Sequence, residues 1–323
     1  MLLAMATLAA PARFAFAQPQ VRMVSLGVLT PDPREPDTAT WRTFASELAR
    51  LGWTEGRNLR VERRFVDMGR LDVLDRMARD LVEARVDVIY AAGGSATALA
   101  AKKATATVPI VFYSSADPVG MGLVSSLAHP GTNLTGSSIQ SLDLLTKQFQ
   151  LLRRVSRKLT SIAYINSADR RDSALSTASV AAASAAARAL GVRIQFVYAS
   201  SIDEVEPQLQ RLVQSGVDGT VISGSASFSD AVLEKIAALL VAYRLPSLGG
   251  ATEGFLLDYG VSEDALARVA ARYVDKILRG AKPADLPVDL GSVFGFVLNL
   301  ATAKALGLDI PPDILIQATD VIR

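Results

Sequence analysis

Two short loops carry the polar groups from which a binding site could be built. Gly93-Gly94-Ser95-Ala96-Thr97 follows the buried-strand run Val86-Asp87-Val88-Ile89-Tyr90-Ala91 and opens an alanine-rich helix. Gly224-Ser225-Ala226-Ser227 follows Val217-Asp218-Gly219-Thr220-Val221-Ile222-Ser223 in the same way. At the start of a helix the backbone N–H groups are unpaired and carry the positive end of the dipole, so Gly94, Ser95 and Thr97 could hold a carboxylate or phosphate. The other reading is a tight turn in which Ser95 or Thr97 only caps its helix. Tyr113-Ser114-Ser115-Ala116-Asp117-Pro118 ends the next strand; Ser114 and Ser115 are contact candidates, and Asp117 before proline also reads as a helix cap. In the second half, Asn166, Ser225, Ser227 and Glu253 stand at comparable strand ends. Hydroxyls, amides and main-chain N–H groups recognise a polar small molecule; they do not transform it.

The chemistry that is missing supports this. The chain has no cysteine and one histidine, which removes thiolate sites, disulfides and multi-histidine metal centres. That histidine lies in His129-Pro130-Gly131, a turn sequence. No Gly-x-Ser-x-Gly elbow, no phosphate-loop Gly-Lys-Ser/Thr and no Gly-x-Gly-x-x-Gly spacing occurs. Neither a catalytic group, a metal site nor a cofactor is therefore expected. Lys and Arg number 34 against 32 Asp and Glu, and no basic stripe marks a nucleic-acid partner.

The elements that position these loops repeat. Each strand–turn–helix unit is followed by a strand with proline near its start, Val108-Pro109-Ile110-Val111 and Leu245-Pro246-Ser247-Leu248. Ahead of each unit come a strand, a helix closed by glycine (Gly52, Gly191), a second strand, and an amphipathic helix over residues 71–84 or 202–214. Strands alternating with helices, several apolar on both faces, indicate α/β architecture with two doubly wound parallel-sheet lobes. With 323 residues, two lobes fit the length. Ligands bind beyond the carboxyl ends of such strands, so the polar loops line a cleft between the lobes. Thr135-Gly136-Ser137-Ser138 has the small residues of a hinge.

The N-terminus is an apolar run from Met1 to Ala10, ending in Ala15-Phe16-Ala17, a small-x-small cleavage site. This predicts a signal peptide over 1–17, cut before Gln18, and a periplasmic protein. No later segment approaches the roughly 18 uninterrupted apolar residues of a membrane helix.

Several motifs, in order, carry a resemblance that spans the mature chain. They are Leu51-Gly52-Trp53-Thr54-Glu55-Gly56-Arg57-Asn58-Leu59, Asp117-Pro118-Val119, Pro130-Gly131-Thr132-Asn133-Leu134-Thr135-Gly136, Ile277-Leu278-Arg279-Gly280-Ala281-Lys282-Pro283, and Asn299-Leu300-Ala301-Thr302-Ala303-Lys304-Ala305-Leu306-Gly307. The chain resembles substrate-binding proteins of ABC transporters with the type I periplasmic-binding fold, in a group some of whose members bind aromatic amino acids. The resemblance implies a monomer whose cleft closes on a small solute and which docks on an inner-membrane permease. It also implies three chain crossings at a hinge, with lobes at 21–138 plus 257–285 and at 139–256 plus 286–323. The chain departs from the family at Gly94-Ser95-Ala96, where Gly-Thr-Pro is common, and at the short loop Ser247-Leu248-Gly249-Gly250-Ala251-Thr252-Glu253-Gly254. The implied ligand is accordingly a small polar molecule, an amino acid or aromatic acid being candidates. A periplasmic sensory module reporting to a signalling partner would share the fold. An enzyme using Glu253 or Asp117 as base is the least favoured reading, and a LacI-like regulator would need a helix-turn-helix ahead of Val24.

Overall fold

The structure is a computed structural model. It describes residues 23–30, 38–65, 73–114, 117–139, 142–156, 158–168, 174–223, 228–250, 254–291 and 293–323. In chain order the first part holds β1 (Val24–Thr30), α1 (Ala39–Arg50), β2 (Leu59–Phe65), α2 (Leu74–Glu83), β3 (Val88–Ala91), α3 (Ser95–Ala104), β4 (Ile110–Ser114) and β5 (Leu134–Ser138). Then come α4 (Leu142–Val155), β6 (Ser161–Ser167), α5 (Ala174–Leu190), β7 (Arg193–Ala199), α6 (Ile202–Gln214), β8 (Gly219–Ile222), α7 (Asp230–Ala242) and β9 (Ser247–Leu248). The last part is β10 (Leu257–Val261), α8 (Glu263–Leu278), β11 (Phe294–Asn299), α9 (Leu300–Leu306), α10 (Pro312–Leu315) and β12 (Asp320–Ile322).

Two sheets result. The first has the order β2-β1-β3-β4-β5 and is parallel throughout. All seven residues of β1 are buried, because helices cover both faces. Alternate residues divide between two cores: Leu26, Val28, Val88 and Tyr90 pack under Trp41, Phe44 and Leu48 of α1 and Ala267, Ala271 and Val274 of α8. Leu29, Ile89, Ile110 and Phe112 pack under Leu74, Ala78 and Leu81 of α2 and Ala98 and Ala101 of α3. Helix α1 forms here because Thr38 caps it, accepting from Trp41 N at 3.1 Å, and because Trp41, Phe44 and Leu48 share one stripe. The second sheet has the order β12-β11-β10-β9-β8-β6-β7. It is parallel except for β10 against β11. Both lobes of the expected α/β scheme are present.

The chain passes between the sheets after β5, at Ser262 between β10 and α8, and between Asp289 and β11. This differs from the expected division by one strand. The family resemblance implies that residues 257–261 belong to the first lobe, but β10 is hydrogen-bonded between β9 and β11 in the second sheet. Conversely, residues 286–289 lie on the first sheet: Thr135 Oγ1 donates to Leu286 O at 2.7 Å, and Asp289 N donates to Gly136 O at 2.9 Å. The crossings are tied together. Ser138 N donates to Asp289 O at 2.8 Å, and Ser262 N to Val293 O at 2.8 Å. Gly136 has no substitute at this point, since a Cβ there would stand 1.9 Å from the carbonyl oxygen of Phe112.

Candidate functional site

Some of the parallel strands end in polar residues: Thr30 of β1, Ser114 of β4 and Ser138 of β5 on the first sheet, and Ser167 of β6 on the second. On the first, Gly93 and Gly94 follow β3 with φ of +95° and +98°, a path open to glycine and strained for other residues. Gly94 is the N-cap of α3 and offers no side chain, so no side-chain hydrogen bond caps this helix. Thr97 is fully buried and its Oγ1 donates to Gly94 O at 2.7 Å. Thr97 therefore braces the turn, whereas Gly94 and the buried Ser95 form the mouth of the helix. Ser114 ends β4 and pairs in register with Ser138. Asp117 is exposed, and its Oδ1 accepts from Val119 N at 3.0 Å; its carboxylate caps a turn over 117–121 instead of a helix. Ser115, Ser225, Ser227 and Glu253 lie outside the described residues, as does the expected signal segment.

Tyr113, beside Ser114, had no assigned role in the sequence. It is half-buried at the carboxyl end of β4, on the face covered by α8. Burial, and after it the carboxylate of Glu263 at the start of α8, push its phenol up to about 12. Glu263 is itself held by Thr40 Oγ1, which donates to it at 2.9 Å. An aromatic residue within a serine-rich strand end was the available signal.

On the second sheet, Asn166 sits near the carboxyl end of β6 and is 2 % exposed. Its Oδ1 and Nδ2 are both buried without a hydrogen-bond partner among the described residues. Two residues back on the same strand face, Tyr164 begins a partly buried chain of hydroxyls. Tyr164 Oη lies 2.9 Å from Ser179 Oγ, and Ser179 Oγ lies 3.0 Å from Ser223 Oγ. Burial raises the Tyr164 phenol above its ordinary value, and the hydrogen bonds from the serines partly offset that rise. Ser223 follows β8 and leads directly into residues 224–227. Ser179 and Ser223 were not singled out in the sequence, where a serine inside the alanine-rich α5 reads as filler. Helical spacing toward β6 would have been the signal.

Two lobes of mainly parallel sheet, joined by three crossings, define the type I periplasmic-binding fold. Residues 38–322 match the family described as ABC transporter substrate binding protein, and the chain belongs to that family of solute-binding proteins. It is 24 % identical over 272 residues to the tyrosine-binding protein of Clostridioides difficile, covering 82 % of this chain and 75 % of that one. A conserved domain protein of Vibrio cholerae superposes with a TM-score of 0.80 at 26 % identity, over 93 % of this chain and all (100 %) of that one. An ABC domain from Streptococcus pneumoniae in complex with L-Trp gives a TM-score of 0.80 at 22 % identity, over 93 % and 100 % of the two chains.

Proposed function

We propose that this protein is the exported, monomeric solute-capturing component of an ABC importer. It takes up a small polar molecule of the amino-acid or aromatic-acid class between its lobes and delivers it to an inner-membrane permease. Its first lobe meets the ligand with the helix mouth at Gly94 and Ser95 and with Ser114, Ser115 and Tyr113. Its second lobe does so with Asn166, Ser225, Ser227 and Glu253. The signal segment over 1–17 takes the chain to the periplasm.

The observation that carries the reading is the Asn166 amide, buried with neither end bonded among the described residues. A buried polar group without partners costs about 1–3 kcal/mol, and native proteins rarely tolerate one that has no use. A ligand presenting both a donor and an acceptor removes that cost on binding. The names of the relatives, one tyrosine-binding and one solved with L-Trp, support an amino acid as that ligand.

Thermal melts across a panel of aromatic and polar amino acids, aromatic acids and purines test the proposal. A true ligand at a hundredfold excess over its Kd stabilises the fold by about 2.7 kcal/mol. A folded protein that no member of the panel stabilises would count against a small-solute role.

A further inference from the structure

Among the described residues, β7 is the last strand of the second sheet and its outer edge is unpaired with any other strand. Arg193 N donates to Thr160 O beside β6 at 2.9 Å, so Arg193, Gln195 and Val197 turn their main-chain groups inward. Ile194 and Phe196 consequently turn theirs outward, away from β6. Two residues beyond Phe196, Gln208 Nε2 donates to Tyr198 O at 2.9 Å and closes the edge there. At Ile194 the open stretch borders a groove of about 630 Å³, lined by the apolar Ala187, Val192 and Ile194 and by Arg188, Arg193 and Ser215; Phe196 lies beyond it. The groove lies at the entry end of β7, whereas the polar strand ends described above lie at the exit end.

The two arginines give this edge its character. Among the described residues neither guanidinium has a carboxylate partner, and no carboxylate lines the groove. The outer strand of the first sheet is different. On β2, Arg63 is bonded to Glu55 at 2.8 Å, Arg60 to Glu62 at 3.4 Å and Arg64 to Glu62 at 3.8 Å. Charge on an edge strand discourages pairing with a second copy, since two copies meeting here would bring like charges together. The same charge favours a strand of opposite sign.

We infer that the β7 edge is a docking surface for an extended acidic segment of a partner protein, which adds as a further strand beside Ile194 and Phe196. Main-chain hydrogen bonds from those two residues hold the backbone, the apolar floor takes alternate side chains, and Arg188 and Arg193 select carboxylates. This surface is separate from the solute site and does not depend on its occupant.

Capped six-residue peptides of alternating valine and aspartate, or valine and lysine, are the probes. The full mature chain should bind the aspartate peptide at least about tenfold more tightly, and the double variant Arg188→Glu/Arg193→Glu should reverse that order. Amide exchange at Ile194 and Phe196 should slow only when the favoured peptide is bound. Four results would overturn the assignment: equal binding of both peptides, unchanged preference in the double variant, binding without slowed exchange at those amides, or sedimentation showing that the edge pairs with a second copy. Binding of citrate with no binding of the aspartate peptide would reduce the groove to a simple anion site and also overturn it.

Discussion

Asp87 and Asp218 hold the same post in the two lobes. Asp87 Oδ2 accepts from Ser25 N at 2.7 Å and from Ser25 Oγ at 3.0 Å, tying the start of β3 to the start of β1. Asp218 accepts from Ser161 N at 2.8 Å and from Thr160 Oγ1 at 2.7 Å, tying the start of β8 to the start of β6. The main chain repeats the pattern, Asp87 N to Ser25 O at 2.8 Å and Asp218 N to Ser161 O at 3.0 Å. Each carboxylate ties a central parallel pair together at the amino ends of its strands, opposite the polar strand ends. Asp87→Ala and Asp218→Ala should each cost about 1–2 kcal/mol, the range for a hydrogen bond to a charged acceptor that is partly solvated. Urea unfolding would read the loss, and solute affinity of the folded protein should stay as in the parent chain.

A difference between the copies gives a second test. Ahead of Val217 the chain turns at Gly216 with φ of +83°, but ahead of Val86 the same turn is made by Arg85 at φ of +54°. A side chain in that left-handed region costs about 1–2 kcal/mol. Arg85→Gly removes the strain and loosens the unfolded chain, which returns part of the gain. A net stabilisation on the order of 0.5–1 kcal/mol should appear as a higher Tm. A lower Tm would mean that contacts of the Arg85 side chain outweigh the strain.

These relationships show which parts of the molecule were legible in advance. The repeated Val-Asp, the glycine helix stops and the two-faced apolar strands follow from local physics, so the architecture could be read. The motifs that carry the family resemblance are mostly scaffold. Trp53 Nε1 donates to Asp275 at 2.8 Å, and Arg279 stacks 5.6 Å from the Trp53 ring while bonding Asp275 and Leu51 O. Asn133 Nδ2 reaches Val108 O at 2.7 Å, and Asp117 caps its own turn. These contacts hold the scaffold together whatever the solute. Site residues were harder to read, because burial and partnership are tertiary facts. Nothing local separates Thr97, which braces a turn, from Ser95 two positions earlier. Nor does it separate Asn166 from any other polar residue ending a strand. The allotment of β10 failed for a similar reason: a crossing can fall on either side of a strand, and only the pairing of Leu257 with Leu248 and Leu298 decides it.

Tyr113 supplies a pH prediction. Its phenol ionises near 10.0 when free and at about 12 in the folded protein, because burial and then the Glu263 carboxylate oppose a negative charge there. The folded state thus keeps this proton longer than the unfolded state. The corresponding stability is fully present below pH 10 and is lost as pH rises through about 12. Tyr113→Phe, which cannot ionise, should lose less stability than the parent between these limits. It should also remove one late-titrating component from the tyrosinate absorbance curve. Parallel stability profiles for the two proteins would contradict the burial of the Tyr113 phenol.

Asn166 gives the test that separates a ligand-reading residue from a structural one. A structural asparagine bonded on both ends would be missed when removed, and Asn166→Leu would cost the hydrogen bonds and leave their partners stranded. Here neither end is bonded among the described residues, so leucine of similar volume removes an unsatisfied amide. The ligand-free protein should then unfold at the same free energy or up to about 1 kcal/mol higher. The same variant should lose most of the thermal shift that a solute produces, because the second lobe can no longer meet the solute's donor and acceptor. Asn166→Asp sharpens the comparison: a buried carboxylate without a partner is costly, so the ligand-free fold should weaken, and less so at low pH where the acid is neutral. A leucine variant with a weaker fold and an undiminished solute response would place Asn166 in the scaffold and remove it from the site.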